Sequence, residues 1–442
     1  MKLRIIVILL ISIALKATAA KLNFEGREAS TVGIAILNLS DSTIVAKENL
    51  SKAMMPASIL KCLTSATSLL TSGTDFQYET LTEMDGTVSN ETLNGNLVIR
   101  SSGDPTICSA HFPESPNFID EIVAKLQEIG IKQITGDIIV DESEFSDTGA
   151  NPGWTVNDVG HSYGAGFFGF NYSDNTFKIN TNDYTTVPDM PFVEIVVDYS
   201  NSDTEIIHGM NSDYYVVRGR NVEKPNFSVE TTMNRPSEVF VDQLTTALDS
   251  IGITVEGNFI APSNSTTPLL THVSPPNIEI VKSLMFRSDN MMAEATLRSN
   301  FPHKSRQDAL TAQGELWESR GFDMKYTHIL DGSGLARGNR VTPAFMARLL
   351  YDMAHSPMCD EYLSLFPHAG REGTIKYFLR GTRLENRLAL KSGSVNGVQC
   401  YAGYKLNSKG VATHAVVIMV NDFFCKRANL RKAIENYLLT IF

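Results

Sequence analysis

The chain has 442 residues, 43% hydrophobic and 20% charged, with a formal net charge of −11. Such acidity argues against a nucleic-acid binder, which presents a basic face. None of the five cysteines lies in a C-x-x-C pair and none of the nine histidines in an H-E-x-x-H, which argues against zinc knuckles, dithiol redox motifs and metalloprotease sites. The opening segment "MKLRIIVILLISIALKATAA" has Lys2 and Arg4 at the front, an apolar run from Ile5 to Leu15, and Ala17 and Ala19 in an A-x-A arrangement. That is the layout of a cleaved secretory signal covering residues 1–20, and the run is shorter than the roughly 20 apolar residues a spanning helix needs. No later stretch is long and apolar enough to cross a bilayer, so the mature chain is expected to be exported, without stable membrane insertion.

"TVGIAILNLS" and "STIVAKE" read as two strands joined by a polar turn at Asp41 and Ser42. A helix is expected to open at Ser58, with Pro56 in its first turn and Ile59, Leu63, Ala66 and Leu70 as its buried stripe. Ser58, Lys61, Ser65 and Ser68 fall on another side, and Ser58 and Lys61 are one turn apart. From about Glu83 to Leu270 short β-prone runs dominate, interrupted by helices near Phe118–Ile129 and Ser237–Ile251. "IGIKQITGDIIV" is partly echoed by "IGITVEGNFI". This stretch reads as a β-rich insertion of one or two small domains. Helices return at Ile278, with "RSDN" near a junction, then near Asp308–Ser319 and Thr342–Ala354. "LALKSGS" and "VQCYAGYKLN" flank the hairpin pair Asn396-Gly397. "HAVVIMV" is the next strand, and "RANLRKAIENYLL" a closing amphipathic helix. The outer parts make an antiparallel sheet with helices on it only if both ends of the chain join. The fold class expected is α+β.

A serine hydroxyl is a weak nucleophile until a base takes its proton. Lysine is such a base when burial or a neighbouring cation lowers its pKa. Ser58 and Lys61 supply the pair, although S-x-x-K alone says little, since serine–lysine neighbours such as Ser51-Lys52 are common. Two further motifs follow in order. "SDN" at Ser288–Asn290 places a hydroxyl that can relay a proton and an amide that can hydrogen-bond a substrate. "KSGS" at Lys391–Ser394, on a strand before a hairpin, places a cation and hydroxyls where a carboxylate binds, on a backbone that can pair with an extended peptide.

S-x-x-K, S-D-N and a K-[ST]-G-type motif together resemble the signature of β-lactamases and penicillin-binding proteins. The 226 residues from position 62 to 287 separate the first two, far more than in class A β-lactamases. The long interval resembles the D-alanyl-D-alanine carboxypeptidase/endopeptidase family typified by penicillin-binding protein 4, as do "SSGDPTI", "WTVNDVGHSYGAGFFGFNYSDN", "DGSGLARGN" and "GTIKYFLRGT". The likeness covers nearly the whole mature chain, and departs from it at Ser392, where that family usually has threonine.

The resemblance implies a transpeptidase-like catalytic domain from residues 21–82 and 271–442, an inserted domain from 83–172 and 231–270, and a third, 173–230, inserted into the second. It implies Ser58 as nucleophile, Lys61 as general base and Ser288 as proton relay, all without metal or cofactor. Asn290 would orient the substrate amide. Lys391, Ser392 and Ser394 would hold the terminal carboxylate, and Asp158 would meet a free amine of the stem peptide. The implied partners are peptidoglycan stem peptides and, as covalent inhibitors, β-lactam antibiotics; a homo-oligomer is compatible with this reading. A β-lactamase-like hydrolase would share the motifs but release its acyl group fast, and a non-catalytic cell-wall-binding scaffold would keep the fold without turnover.

Overall fold

The computed structural model describes residues 20–210, 212–261, 266–302 and 305–442. The expected signal segment, Ala20 apart, lies outside the described residues. Two compact units emerge. The first holds the residues up to Gly73 with Val281–Asp289 and Leu310–Phe442; the second holds Thr74–Ile280 and Asn290–Ala309.

In the first unit, β1 (Thr31–Asn38) and β2 (Ile44–Glu48) come from the N-terminal part, and β3 (Leu388–Val395), β4 (Val398–Leu406) and β5 (Ala412–Asn421) from the C-terminal part. They form one sheet in the order β3-β4-β5-β1-β2, every pair antiparallel. The ends of the chain therefore do join, in a register that runs from Thr31 opposite Asn421 to Asn38 opposite His414. Asn396 and Gly397 make the turn between β3 and β4, with Gly397 at a φ of 74° that suits glycine.

The sheet is buried on both faces, which is why its central strands read as apolar runs without alternation. One face, with Ile34, Ile36, Val416, Ile418 and Val420, packs on Leu430, Ile434 and Leu438 of the closing helix, Arg427–Ile441. The helix Pro343–Ala354 also contacts β1 and β5. Gly33 of β1 has no room for a side chain, because an added Cβ would lie 2.6 Å from both Met54 Sδ and Pro343 Cγ.

The second unit is built on a larger sheet and two three-stranded ones. The expected boundary at 82/83 falls inside the strand Glu79–Ser89, whose residues Glu79 to Asp85 pair with Thr266–Val273; the compact unit runs from Thr74 to Ile280, with Asn290–Ala309. The two echoed segments each follow a helix, Phe118–Glu128 and Pro236–Ser250, and their strands Gln133–Ile134 and Thr254–Val255 lie side by side in parallel. Phe118 and Phe240 stack beneath them with ring centroids 5.4 Å apart.

Candidate active site

The segment around Ser58 is fixed from several directions. Asn421, at the end of β5, donates its side-chain amide to Met55 O (3.0 Å) and accepts Met55 N–H (2.7 Å), which ties the sheet to the chain just before the serine. Ala57 has a φ of 47°, a conformation costing a non-glycine residue on the order of 1 kcal/mol or more. The sequence suggests one helix opening at Ser58. Instead a 3-10 turn spans Ala57–Leu60 and the α-helix, α1 (Lys61–Thr71), starts at Lys61. Nor is α1 buried along a single stripe. Ser65 and Ser68 are buried with Leu63 and Ala66, because the helix is enclosed on every side. Its hydroxyls serve that environment: Thr64 donates to Gly332 O (2.6 Å), and Thr67 accepts the Trp317 indole N–H (2.9 Å).

Lys61 is fully buried, and its Nζ lies 3.2 Å from Ser58 Oγ. It also donates to the backbone carbonyl of Ser333 at 2.7 Å. Lys391, on β3, is likewise fully buried; its Nζ donates to Ser288 Oγ and to Ser392 O, both at 2.8 Å. Burial first, and then the positive charge of Lys61, push the Lys391 ammonium well below the usual lysine range. Ser288 sits between the helix α2 (Asn277–Arg287) and the helix that begins at Asn290, with a φ of 66°, so this hydroxyl too stands on a backbone that is unfavourable without glycine.

β3 is an edge strand. Its first half is covered by the segment 367–369, through Ala369 N–H to Leu388 O and Leu390 N–H to Pro367 O. From Lys391 onward it runs against the serine turn. A Cβ on Gly393 would lie 2.9 Å from Pro56 O, Ser58 N and Ile59 N, so only glycine allows this approach. Ser392 half-buries its hydroxyl 2.7 Å from Thr374 Oγ1, and Ser394 is exposed. The geometry thus brings Ser58, Lys61, Ser288, Lys391 and Ser392 together, with Ser394 two residues along the same strand. Cys62, beside Lys61 in the chain, is buried and its thiol is pushed up to about 12 by that burial, so it stays protonated and unreactive at neutral pH.

The motif reading misses the loop that supports Lys61. Asp331 is fully buried and its carboxylate accepts Gly334 N–H (2.7 Å), Ala336 N–H (2.6 Å) and the Asn339 side-chain amide (2.8 Å). This folds "DGSGLARGN" so that Ser333 O meets Lys61. Gly334, at φ 84°, passes so close that a Cβ would lie 2.1 Å from Ala57 O. The Asp-Gly-Ser-Gly run signals a tight turn, but nothing local says which lysine its carbonyl receives.

Asn290 and Asp158 belong to the second unit. Asn290 is buried and donates its side-chain amide to Tyr163 O at 2.7 Å. Asp158 is buried in a capping box with Thr155: its Oδ2 accepts Thr155 Oγ1–H (2.6 Å), and Thr155 Oγ1 accepts Asp158 N–H (3.2 Å). The Tyr163 hydroxyl lies 3.4 Å from its other carboxylate oxygen. Among the described residues no group of three or more His, Cys, Asp or Glu side chains is placed to hold a metal ion.

The D-Ala-D-Ala carboxypeptidase 3 (S13) family matches residues 14–439. The D-alanyl-D-alanine carboxypeptidase DacB of Haemophilus influenzae is 28% identical over 427 residues, 90% of this chain and 86% of that protein. The D-alanyl-D-alanine carboxypeptidase of an Actinomadura species is 23% identical over 425 residues, 88% of this chain and 78% of its own. The crystal structure of penicillin binding protein 4 from Haemophilus influenzae is similar, with a TM-score of 0.80 at 26% identity, covering 93% of this chain and 96% of that one. A structure of the same protein complexed with a novel β-lactam gives a TM-score of 0.73 at 24% identity over the same shares.

Gly334→Ala is expected to displace the Ala57–Ser58 turn, since the clash is with backbone. A misplacement near 1 Å costs roughly 10²-fold in rate. Acylation should fall by about that factor in a stopped-flow assay, whereas Gly410→Ala, at a loop glycine with open space around it, should leave acylation unchanged.

Proposed function

This chain belongs to the D-Ala-D-Ala carboxypeptidase 3 (S13) family, and from that premise we propose that it is an exported serine-type D-Ala-D-Ala carboxypeptidase and endopeptidase of peptidoglycan stem peptides. The observation that carries this reading is the 3.2 Å contact between Ser58 Oγ and the buried Lys61 amine. Ser58 Oγ attacks the carbonyl between two D-alanines while Lys61, in its neutral form, takes the hydroxyl proton. The oxyanion that forms is held by backbone N–H groups of Ser58 and Ser394, each contributing about 10²–10³ in rate. The close approach of Gly393 to Ser58 N supports that pairing. The intermediate collapses as Ser288, hydrogen-bonded to Lys391, passes a proton to the departing amine. Water then hydrolyses the ester to free Ser58 and the shortened peptide. The uncovered half of β3, with Lys391, Ser392 and Ser394, takes the substrate's C-terminal residue as an added strand and receives its carboxylate. Asn290 orients the peptide amide. A β-lactam acylates the same serine and leaves it slowly.

The nested domain organisation is part of the same proposal, with the outer boundaries moved to Thr74 and Ile280. The sheet of Glu194–Tyr199, Glu205–Ile207 and Tyr214–Gly219 falls wholly within 173–230, which supports a separate innermost insertion.

The proposal is tested by D-alanine release from a pentapeptide ending in D-Ala-D-Ala. Wild-type protein should release it, and Ser58→Ala should not, with an unchanged thermal transition. Release by the variant would remove Ser58 as nucleophile.

The two lysines should separate. Arginine does not give up its proton, so Lys61→Arg should nearly abolish acylation. Lys391→Arg should keep measurable activity. Because the Lys391 ammonium is depressed, carboxylate binding should weaken as pH rises through a value below the usual lysine range. In Lys391→Arg that alkaline limb of kcat/KM should shift upward. An equal loss in both variants, with no shift of the limb, would contradict the division of roles.

Asp158 is proposed to meet the free amine of a diamino acid in the stem peptide while it also closes the turn at Thr155. Asp158→Asn should lower cleavage of an amine-bearing peptide several-fold and leave penicillin acylation unchanged. Equal loss in both assays would assign the carboxylate to the capping box alone.

A further inference from the structure

The second unit contains a cleft of about 780 Å³ that plays no part in the chemistry above. It opens where two parallel strands, Thr92–Arg100 and Ile138–Asp141, end side by side with Arg100 opposite Asp141. The chain diverges there into the Ser101–Gly103 and Ser143–Phe145 loops, leaving a crevice at the carboxyl ends of the strands. The volume is that of a site for a ligand of several hundred daltons.

Its walls have two kinds of surface. Phe76 and Phe145 are half-buried and present ring surface to the cleft, each braced edge-to-face by a buried ring, Tyr78 at 5.1 Å and Phe167 at 5.7 Å. Between them lie polar groups that are already neutralised in pairs. Arg100 bridges Glu83 (2.9 Å) and Asp141, and Asp141 also accepts Ser143 N–H (3.0 Å). At the base, Arg298 is only 4% exposed; it donates to Ser146 O (2.9 Å) and lies over Phe167, 5.5 Å from the ring centroid.

The lining carries three carboxylates, Glu79, Asp141 and Glu144, against two guanidiniums, which disfavours an anionic ligand. Arg100 already pairs with both Asp141 and Glu83, so Asp141 is not left for a simple cation. Paired donors and acceptors set between half-buried ring faces suit a ligand with apolar C–H faces and a rim of hydroxyl and amide groups. We propose that this cleft binds an N-acetylated amino-sugar strand, so that the enzyme holds the glycan to which its stem-peptide substrate is attached. The assignment rests on the peptidoglycan reading above, but its binding step needs no catalysis.

The test is calorimetric titration of the full chain with tetra-N-acetylchitotetraose, a peptide-free probe, beside kinetics on two substrates. Wild type and Ser58→Ala should bind the tetrasaccharide equally. Phe145→Ala and, as a second surface variant, Arg100→Gln should each weaken binding by about tenfold, the scale of one lost ring or paired polar contact. The same variants should lower kcat/KM by a similar factor on a glycan-linked muropeptide and keep D-alanine release from a free pentapeptide within about twofold of wild type. The proposal is overturned if wild type does not bind the tetrasaccharide, if both variants bind it as wild type does, if both substrates suffer equally, or if an amine-bearing peptide and not the sugar occupies the cleft. Failure of Ser58→Ala to abolish pentapeptide cleavage would instead count against the catalytic assignment, and glycan binding would stand or fall separately.

Discussion

Two lysine side chains, Lys61 and Lys391, are fully buried in one unit and close enough for each charge to be felt by the other. Removing an ammonium from water costs several kcal/mol even after relaxation, and a second cation nearby adds to it. The surrounding structure answers that cost with fixed acceptors: the carbonyls of Ser333 and Ser392 and the hydroxyls of Ser58 and Ser288. Carbonyl and hydroxyl acceptors orient an amine and, being neutral, do not hold it protonated as a carboxylate would. Burial, with the Lys61 charge beside it, pushes the Lys391 ammonium well below the usual lysine range.

The acceptors arrive from distant parts of the chain, and the sheet is what assembles them. Pairing of β1 with β5 joins the N-terminal and C-terminal parts of the unit. Asn421, the last residue of β5, then grips Met55 on both its N–H and its C=O, and Gly393 on the edge strand comes within contact of Ser58 N. Asp331 gathers three donors to shape the loop that offers Ser333 O. The Asn421–Met55 and Lys61–Ser333 contacts join residues 366 and 272 positions apart, so the site forms only when the whole unit folds. The non-glycine residues held at positive φ, Ala57 and Ser288, sit at this meeting point, where surrounding contacts over-determine the backbone.

Much of this was legible in the sequence, and for identifiable reasons. Strands such as "HAVVIMV" and helices such as Arg427–Ile441 follow from apolar patterning, and the Asn396-Gly397 turn from its residues. Three short motifs in order located Ser58, Lys61, Ser288 and Lys391, because each motif carries its own local geometry. What stayed hidden depends on partners far away in the chain. Helix periodicity puts Ser65 and Ser68 on another side from the apolar stripe, yet both are buried, and Trp317, Gly332 and Tyr362 meet α1 from distant parts of the chain. The 3-10 turn at Ser58 follows from the approach of Gly334 and the Met55 anchor, neither visible locally. The boundary at 82/83 is crossed by the pairing of Glu79–Asp85 with Thr266–Val273, a contact between strands far apart in the chain.

The central claim is that the Lys61-activated hydroxyl of Ser58 is the group that becomes acylated. The most direct measurement is mass spectrometry of the protein after exposure to a labelled penicillin, intact and then after proteolysis. One penicilloyl unit should add to the chain, persist for minutes or longer, and map to the peptide that contains Ser58. An adduct on any other residue, or an unmodified chain with penicillin consumed at a high turnover rate, would contradict the account.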